Sequence, residues 1–154
     1  MAIAKEIMTD KVVTLPAATD ITEAVEVFTT KKITSMPVTM VTGEIAGQLT
    51  EFVLVRLMVM HQAQPEKFKK LAHALEHLEQ PVFVEPQDSV AVVLKAMMSS
   101  PIKRVIVSMD KCRVLGIISP KDLLRALAAG DKTAQVIQKE VQKTTAAGAA
   151  MKAG

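Results

Sequence analysis

The chain has 154 residues, 49% hydrophobic and 23% charged, which is enough apolar material for a buried core and excludes a chain disordered throughout. Aromatic residues make up only 3% (four Phe, no Trp, no Tyr), which argues against the stacking platforms of single-strand nucleic-acid binders. Nineteen Lys and Arg against sixteen Asp and Glu leave +3 and a pI near 9.0, a background for an anionic ligand rather than the basic stripe of a nucleic-acid protein.

In chain order, Lys5, Glu6 and Asp10 interrupt the N-terminus before any apolar signal core could form. The β-branched run Val12–Leu15 predicts a strand, and Asp20 with Glu23 predicts a capping box. Ile21, Ala24, Val25 and Phe28 then lie on one face of a helix. Strands are expected over 35–40 and 45–49 around the turn at Val41–Glu44, followed by a helix capped by Thr50. The apolar stretch Phe52–Met60 is broken by Arg56 and is far too short to span a membrane. Pro65 restarts a helix with Phe68, Leu71, Ala72, Leu75 and Leu78 as its apolar stripe.

The same series then repeats. Val82-Phe83-Val84 is a strand, and Asp88 or Ser89 caps a helix with Val90, Val93, Leu94 and Met97 inward. Strands over 104–109 and 113–119 flank the turn at Asp110–Arg113. Ser119 caps the closing helix, with Pro120 at the first helical position, where a missing N–H costs nothing, and Gly130 as its stop. Beyond it the polar, Ala-rich and Thr-rich end reads as a disordered tail.

Sliding the chain by 69 positions (Gly116 minus Gly47) superimposes the two series without a gap. Val13 meets Val82, Val38 meets Val107, Leu54 meets Leu123 and Arg56 meets Arg125. This divides the chain into residues 3–60, a linker over 61–80, residues 81–130 and an extension over 131–154. Each repeat has the order β-α-β-β-α.

Ile7-Met8-Thr9, Val12-Val13-Thr14, Ile21-Thr22-Glu23-Ala24-Val25, Ile33-Thr34-Ser35-Met36-Pro37-Val38 and Gly47-Gln48-Leu49-Thr50-Glu51-Phe52 together resemble a cystathionine-beta-synthase (CBS) domain. Val82 through Gly116-Ile117-Ile118-Ser119-Pro120-Lys121-Asp122 resembles a second, so the pair is similar to a Bateman module over about residues 3 to 129. The resemblance implies an α/β fold of two CBS repeats packed with pseudo-twofold symmetry, with two clefts. It also implies an adenosine-containing ligand (AMP, ADP, ATP or S-adenosylmethionine), a homodimer, and a regulated effector protein, expected here to be another chain.

Ser119 and Asp122 are the leading site residues. The free N–H groups of a capped helix start favour a phosphate, and a carboxylate one turn on can accept both hydroxyls of a ribose. This Ser-x-x-Asp pattern resembles the family's ribose–phosphate motif, though an ordinary capping arrangement has the same spacing. By the same resemblance Val82, Phe83, Val84, Ile102 and Val105 wall the base. Lys103 and Arg104 stand at the expected start of the strand, where alternation aims one of them at the cleft to neutralise a phosphate, and Lys121 is a further ligand candidate within the Ser-x-x-Asp pattern. The first repeat departs from the pattern, because Val53 stands where Asp122 stands in the second. One competent ribose site is therefore expected, with Thr14, Ser35, Met36, Pro37 and Thr50 as secondary first-cleft candidates and Met36-Pro37 also readable as core.

His73 and His77 have a metal-compatible spacing, with His61 upstream, but no third ligand is fixed, so no metal is expected. The single Cys112 excludes an internal disulfide framework and fits a reducing compartment. No nucleophile–base constellation, Walker loop or dinucleotide fingerprint occurs. The sequence therefore reads as a soluble, cytoplasmic, non-enzymatic sensor without a cofactor or membrane span, the competing reading being a ligand-free interaction module.

Overall fold

The computed structural model describes residues 2–129. The expected tail and the helix stop at Gly130 lie outside the described residues. The elements are α1 (Ala4–Ile7), β1 (Leu15–Pro16), α2 (Ile21–Lys31), β2 (Ser35–Thr39), β3 (Ile45–Thr50), α3 (Glu51–Ala63) and a 3-10 segment (Leu71–His77). They continue with β4 (Phe83–Val84), α4 (Val90–Ser99), β5 (Val105–Val107), β6 (Gly116–Ile118) and α5 (Pro120–Ala128). Two three-stranded sheets result, ordered β1-β2-β3 and β4-β5-β6. In each, the first pair is parallel across a crossover helix and the second is antiparallel across a short turn.

The chain divides into two compact units, and neither is one continuous stretch. One contains Lys11–Pro81 with Asp110–Arg113; the other contains, of the described residues, 2–10, Val82–Met109 and 114–129. The opening residues thus pack with the second repeat, whereas their place in the sequence put them in the first. Ala4 N–H donates to Asp88 O (2.8 Å), Lys5 N–H to Pro86 O (2.9 Å), and Thr9 exchanges backbone bonds with Ile117. In the opposite exchange, the turn Asp110–Arg113 belongs with the first repeat, Ile45 N–H donating to Lys111 O at 3.4 Å. Asp110 Oδ1 holds that turn by accepting from the N–H groups of Cys112 and Arg113.

Each unit has its own core. Ile21, Phe28, Met36, Leu49, Leu57 and Leu71 are buried together in the first. Val84, Val90, Val93, Val105, Val107, Ile118 and Leu123 are buried together in the second. The few rings leave these interiors to branched aliphatics and methionine.

Four local expectations need correction. The strand expected over Val12–Leu15 is only Leu15–Pro16, because pairing begins where Leu15 meets Val38 of β2. The strand expected from Arg104 begins at Val105, after a turn in which Lys103 is left-handed (φ 54°). Asp20 stands at the N-cap of α2 without a side-chain cap bond.

The helix expected after Pro65 is instead the 3-10 segment, interrupted at Ala74 (φ −141°). The N–H groups of Leu71 and Ala72, which a continuous helix would use internally, donate to Thr19 O and Ala17 O. The tighter 3-10 repeat puts Leu71 and Ala74 inward together, and Ala72, placed on the stripe, is exposed.

Gly47, matched to Gly116 in the repeat, is there for space. A Cβ at Gly47 would lie 2.8 Å from Leu78 Cβ and 2.9 Å from Glu79 O, where Gln48 and Glu79 exchange backbone bonds. Backbone cannot yield as a flexible side chain can. Gly47→Ala should therefore cost about 1–3 kcal/mol by overpacking. A thermal melt within one degree of the parent would show that the close approach does not exist.

Candidate functional site

The chemistry expected of the second repeat gathers at the start of α5. Ser119 is the N-cap and Pro120 is in the first turn, as the sequence predicts. Asp122, three residues on, is turned inward with a side-chain exposure of 5%. Its Oδ2 accepts from Ser119 N–H (2.8 Å) and Ser119 Oγ–H (3.0 Å), half of a reciprocal capping box. Its Oδ1 accepts from Thr9 Oγ1–H (3.2 Å) and Arg125 Nη1–H (3.0 Å). Four donors fill the lone-pair sites of one carboxylate.

Thr9 and Arg125 are the partners that sequence reasoning missed. Thr9 is delivered by its paired backbone bonds to Ile117, a contact across most of the chain. Arg125 was legible: it stands one helical turn from Asp122, at the spacing that lets side chains meet. Its own side chain remains 67% exposed. Beside the carboxylate is a polar cleft of about 370 Å³ lined by Glu6, Ile7, Met8, Thr9, Asp122, Arg125 and Ala126.

The other predicted side chains go elsewhere. Val84 and Val105 are core residues, and Val82 packs against that core. Phe83 pairs with Ile106 on the opposite face, since neighbouring strand residues point to opposite sides. Ile102 is half-buried in the turn before β5.

Lys103 and Arg104 precede the strand, so the alternation that was to aim one of them at a cleft does not apply. Lys103 Nζ donates to Met98 O (3.0 Å), and Arg104 Nη1 to Ile102 O (3.4 Å). Lys121 is exposed on the first turn of α5.

The first repeat has the same frame with different chemistry. Thr50 caps α3, its Oγ1 accepting from Val53 N–H at 3.2 Å. Val53, in the place of Asp122, is buried in the core. Arg56, in the place of Arg125, makes no ion pair among the described residues and lies over the Phe52 ring, 5.5 Å from the centroid. Met36 is a core residue, Thr14 is exposed, and Ser35 and Pro37 face Thr50 and Gln48 across the β2–β3 pair.

Among the described residues no cluster of three His, Cys, Asp or Glu could hold a metal ion. Among them also, no helix is long and apolar enough to cross a membrane.

The family model described as the CBS domain matches residues 4–59 and again 75–129. The chain belongs to the CBS-domain family. Solved CBS pairs share its fold. The structure of CBSX2 from Arabidopsis thaliana, determined in complex with AMP, superimposes with a TM-score of 0.69 at 18% identity, covering 84% of this chain and 98% of that one. The CBS domain pair of MJ0100, in complex with 5′-methylthioadenosine and S-adenosyl-L-methionine, gives 0.66 at 21% identity over 85% and 99%. ATU1752 from Agrobacterium tumefaciens, described as a CBS-domain containing protein, gives 0.62 at 24% identity over 80% and 92%. No curated protein matches the chain.

Proposed function

We propose that this CBS pair is a non-catalytic sensor of an adenosine-containing ligand and signals to a partner protein. The observation that carries the reading is the buried Asp122 carboxylate at the capped start of α5, beside a polar cleft. The complexes of CBSX2 with AMP and of MJ0100 with S-adenosyl-L-methionine support the ligand class.

Ribose hydroxyls would take the places of Thr9 Oγ1 and Arg125 Nη1 on Oδ1, while Ser119 keeps Oδ2. The exposed Arg125, released, would turn to a phosphate, for which its planar fork is suited. Exchange of partners at one carboxylate would thereby couple occupancy to α1 and α5. Calorimetry with AMP, ADP, ATP and S-adenosylmethionine tests the reading. Binding of at least one below the millimolar range is the expected result, and no binding refutes it.

The fully partnered state of Asp122 favours a second reading, a ligand-free interaction module. The helix faces suit either reading. Val25, Phe28, Leu54, Val55 and Met58 line an apolar groove of about 570 Å³. Leu94, Met97, Leu123, Leu124 and Leu127, each 69 positions on, line another of about 340 Å³. Glu51 borders the first and Lys103 the second, so each groove is complementary in charge to the other groove of a second copy. The wild-type chain is accordingly expected to sediment as a dimer, and Val55→Glu or Leu124→Glu as a monomer. Unchanged sedimentation of both variants would remove these faces from the interface.

A further inference from the structure

The two sheets close one edge in the same way. Gln48 of β3 exchanges both backbone bonds with Glu79, and Ile117 of β6, 69 positions on, exchanges both with Thr9. A glycine precedes each strand residue, and the side chain before each partner lies over it, Leu78 over Gly47 and Met8 over Gly116. A Cβ at Gly116 would run into Met8 Sδ and stand 2.7 Å from its Cγ, so the thioether rests on bare backbone. Met8 is half-buried, packing against the core of its unit and also lining the polar cleft beside Asp122. The first repeat fills the same place with leucine, so the fold does not require sulfur there.

We propose that Met8 is a site of oxidation by peroxides, and that its sulfoxide detaches Thr9 from Ile117 and Asp122. A sulfur lone pair attacks one peroxide oxygen, and the O–O bond breaks as the S–O bond forms. The departing hydroxide takes the proton of the transferred hydroxyl and leaves as water. Sulfur gives up two electrons and the peroxide gains them, which turns an apolar side chain into a polar one. The new oxygen accepts hydrogen bonds and donates none. Toward Gly116 there is no room for it. Toward the cleft it joins the carboxylates of Glu6 and Asp122, and it competes with Asp122 for Thr9 Oγ1–H and Arg125 Nη1–H. In either direction the residue before Thr9 must move. Met98 and Met109 are more exposed, at 44% and 67%, and oxidise as well, but neither precedes a residue that closes a sheet edge. The inference concerns the ligand-free chain and does not depend on the ligand reading.

The test exposes the full chain and Met8→Leu to hydrogen peroxide, then to dithiothreitol, which reverses disulfides through Cys112 and leaves sulfoxides in place. Peptide mass spectrometry locates each added oxygen, and NMR follows amide hydrogen exchange. Gln48 and Glu79, which close the other sheet beside Leu78, serve as the internal reference. The expected result is one oxygen on Met8, with the amides of Thr9 and Ile117 exchanging about tenfold faster and those of Gln48 and Glu79 unchanged.

Met8→Leu, which copies the first repeat, should keep all four amides protected under the same treatment while Met98 and Met109 oxidise. Met8→Gln, which puts a polar side chain of similar length in the same place, should speed exchange at Thr9 and Ile117 without peroxide. An unmodified Met8 in a chain fully oxidised at Met98 and Met109 overturns the proposal. So does unchanged exchange at Thr9 and Ile117 once Met8 is oxidised, or an equal loss of protection in Met8→Leu.

Discussion

Leu57→Ala is expected to lower the unfolding free energy by about 2–5 kcal/mol. Leu57 is fully buried on α3, in the cluster that includes Ile21, Leu49, Leu54 and Leu71. Truncation removes apolar contact and leaves a cavity that the surrounding structure fills only in part. Met36 is in the same cluster and Met58 packs against it; their unbranched side chains can move into some of the space. That relaxation sets where in the range the value falls. Val59 on the same helix is 62% exposed, and Val59→Ala should stay within about 0.5 kcal/mol. Urea unfolding followed by far-UV circular dichroism measures both, since the chain has no Trp or Tyr to report by fluorescence. Similar midpoints for the two variants would show that the core is not centred on α3.

Asp122→Ala is expected to weaken the ligand about 100-fold, the loss of two hydroxyl hydrogen bonds to a charged acceptor at about 1.5 kcal/mol each. The same change should cost the ligand-free protein about 1–3 kcal/mol, because Ser119 N–H loses its buried acceptor. Asp122→Asn separates the two effects. It keeps one acceptor oxygen for Ser119 N–H and nearly the same volume, so the cap should be held while the oxygen that would accept both ribose hydroxyls is replaced by an NH2 donor. Calorimetry on both variants, beside denaturation of each without ligand, decides the matter. Undiminished affinity in Asp122→Ala would exclude the carboxylate from the site and leave the interaction-module reading.

The order of elements was legible because the apolar positions recur at 69 residues and because caps such as Thr50, Ser89 and Ser119 mark helix starts. What was not legible depends on partners remote in sequence. No local signal announces that Thr19 and Ala17 take the N–H groups of Leu71 and Ala72, and that backbone pairing replaces an amphipathic helix with a 3-10 segment. The core role of Val84 and Val105 follows from register, which is set by pairing and not by composition. At the site, Asp122 and Ser119 were visible as a spacing and Arg125 was within reach of the same argument. Thr9 was not, since its contact with Asp122 spans 113 positions. Gln48 looked like an ordinary member of a family motif, and only its burial shows a side-chain amide without a partner among the described residues.

The exchange of short segments between the units bears on how the protein is made. The residues up to Asp10 leave the ribosome before the first repeat does, yet their partners at Pro86, Asp88, Ile117 and Asp122 are synthesised much later. The first repeat, likewise, lacks the turn at Asp110–Arg113 until most of the chain has emerged. Neither unit can be completed during translation before the other is largely in hand. A gene divided between the repeats would encode two fragments, each carrying a piece that belongs to the other, and selection on either repeat therefore acts on both.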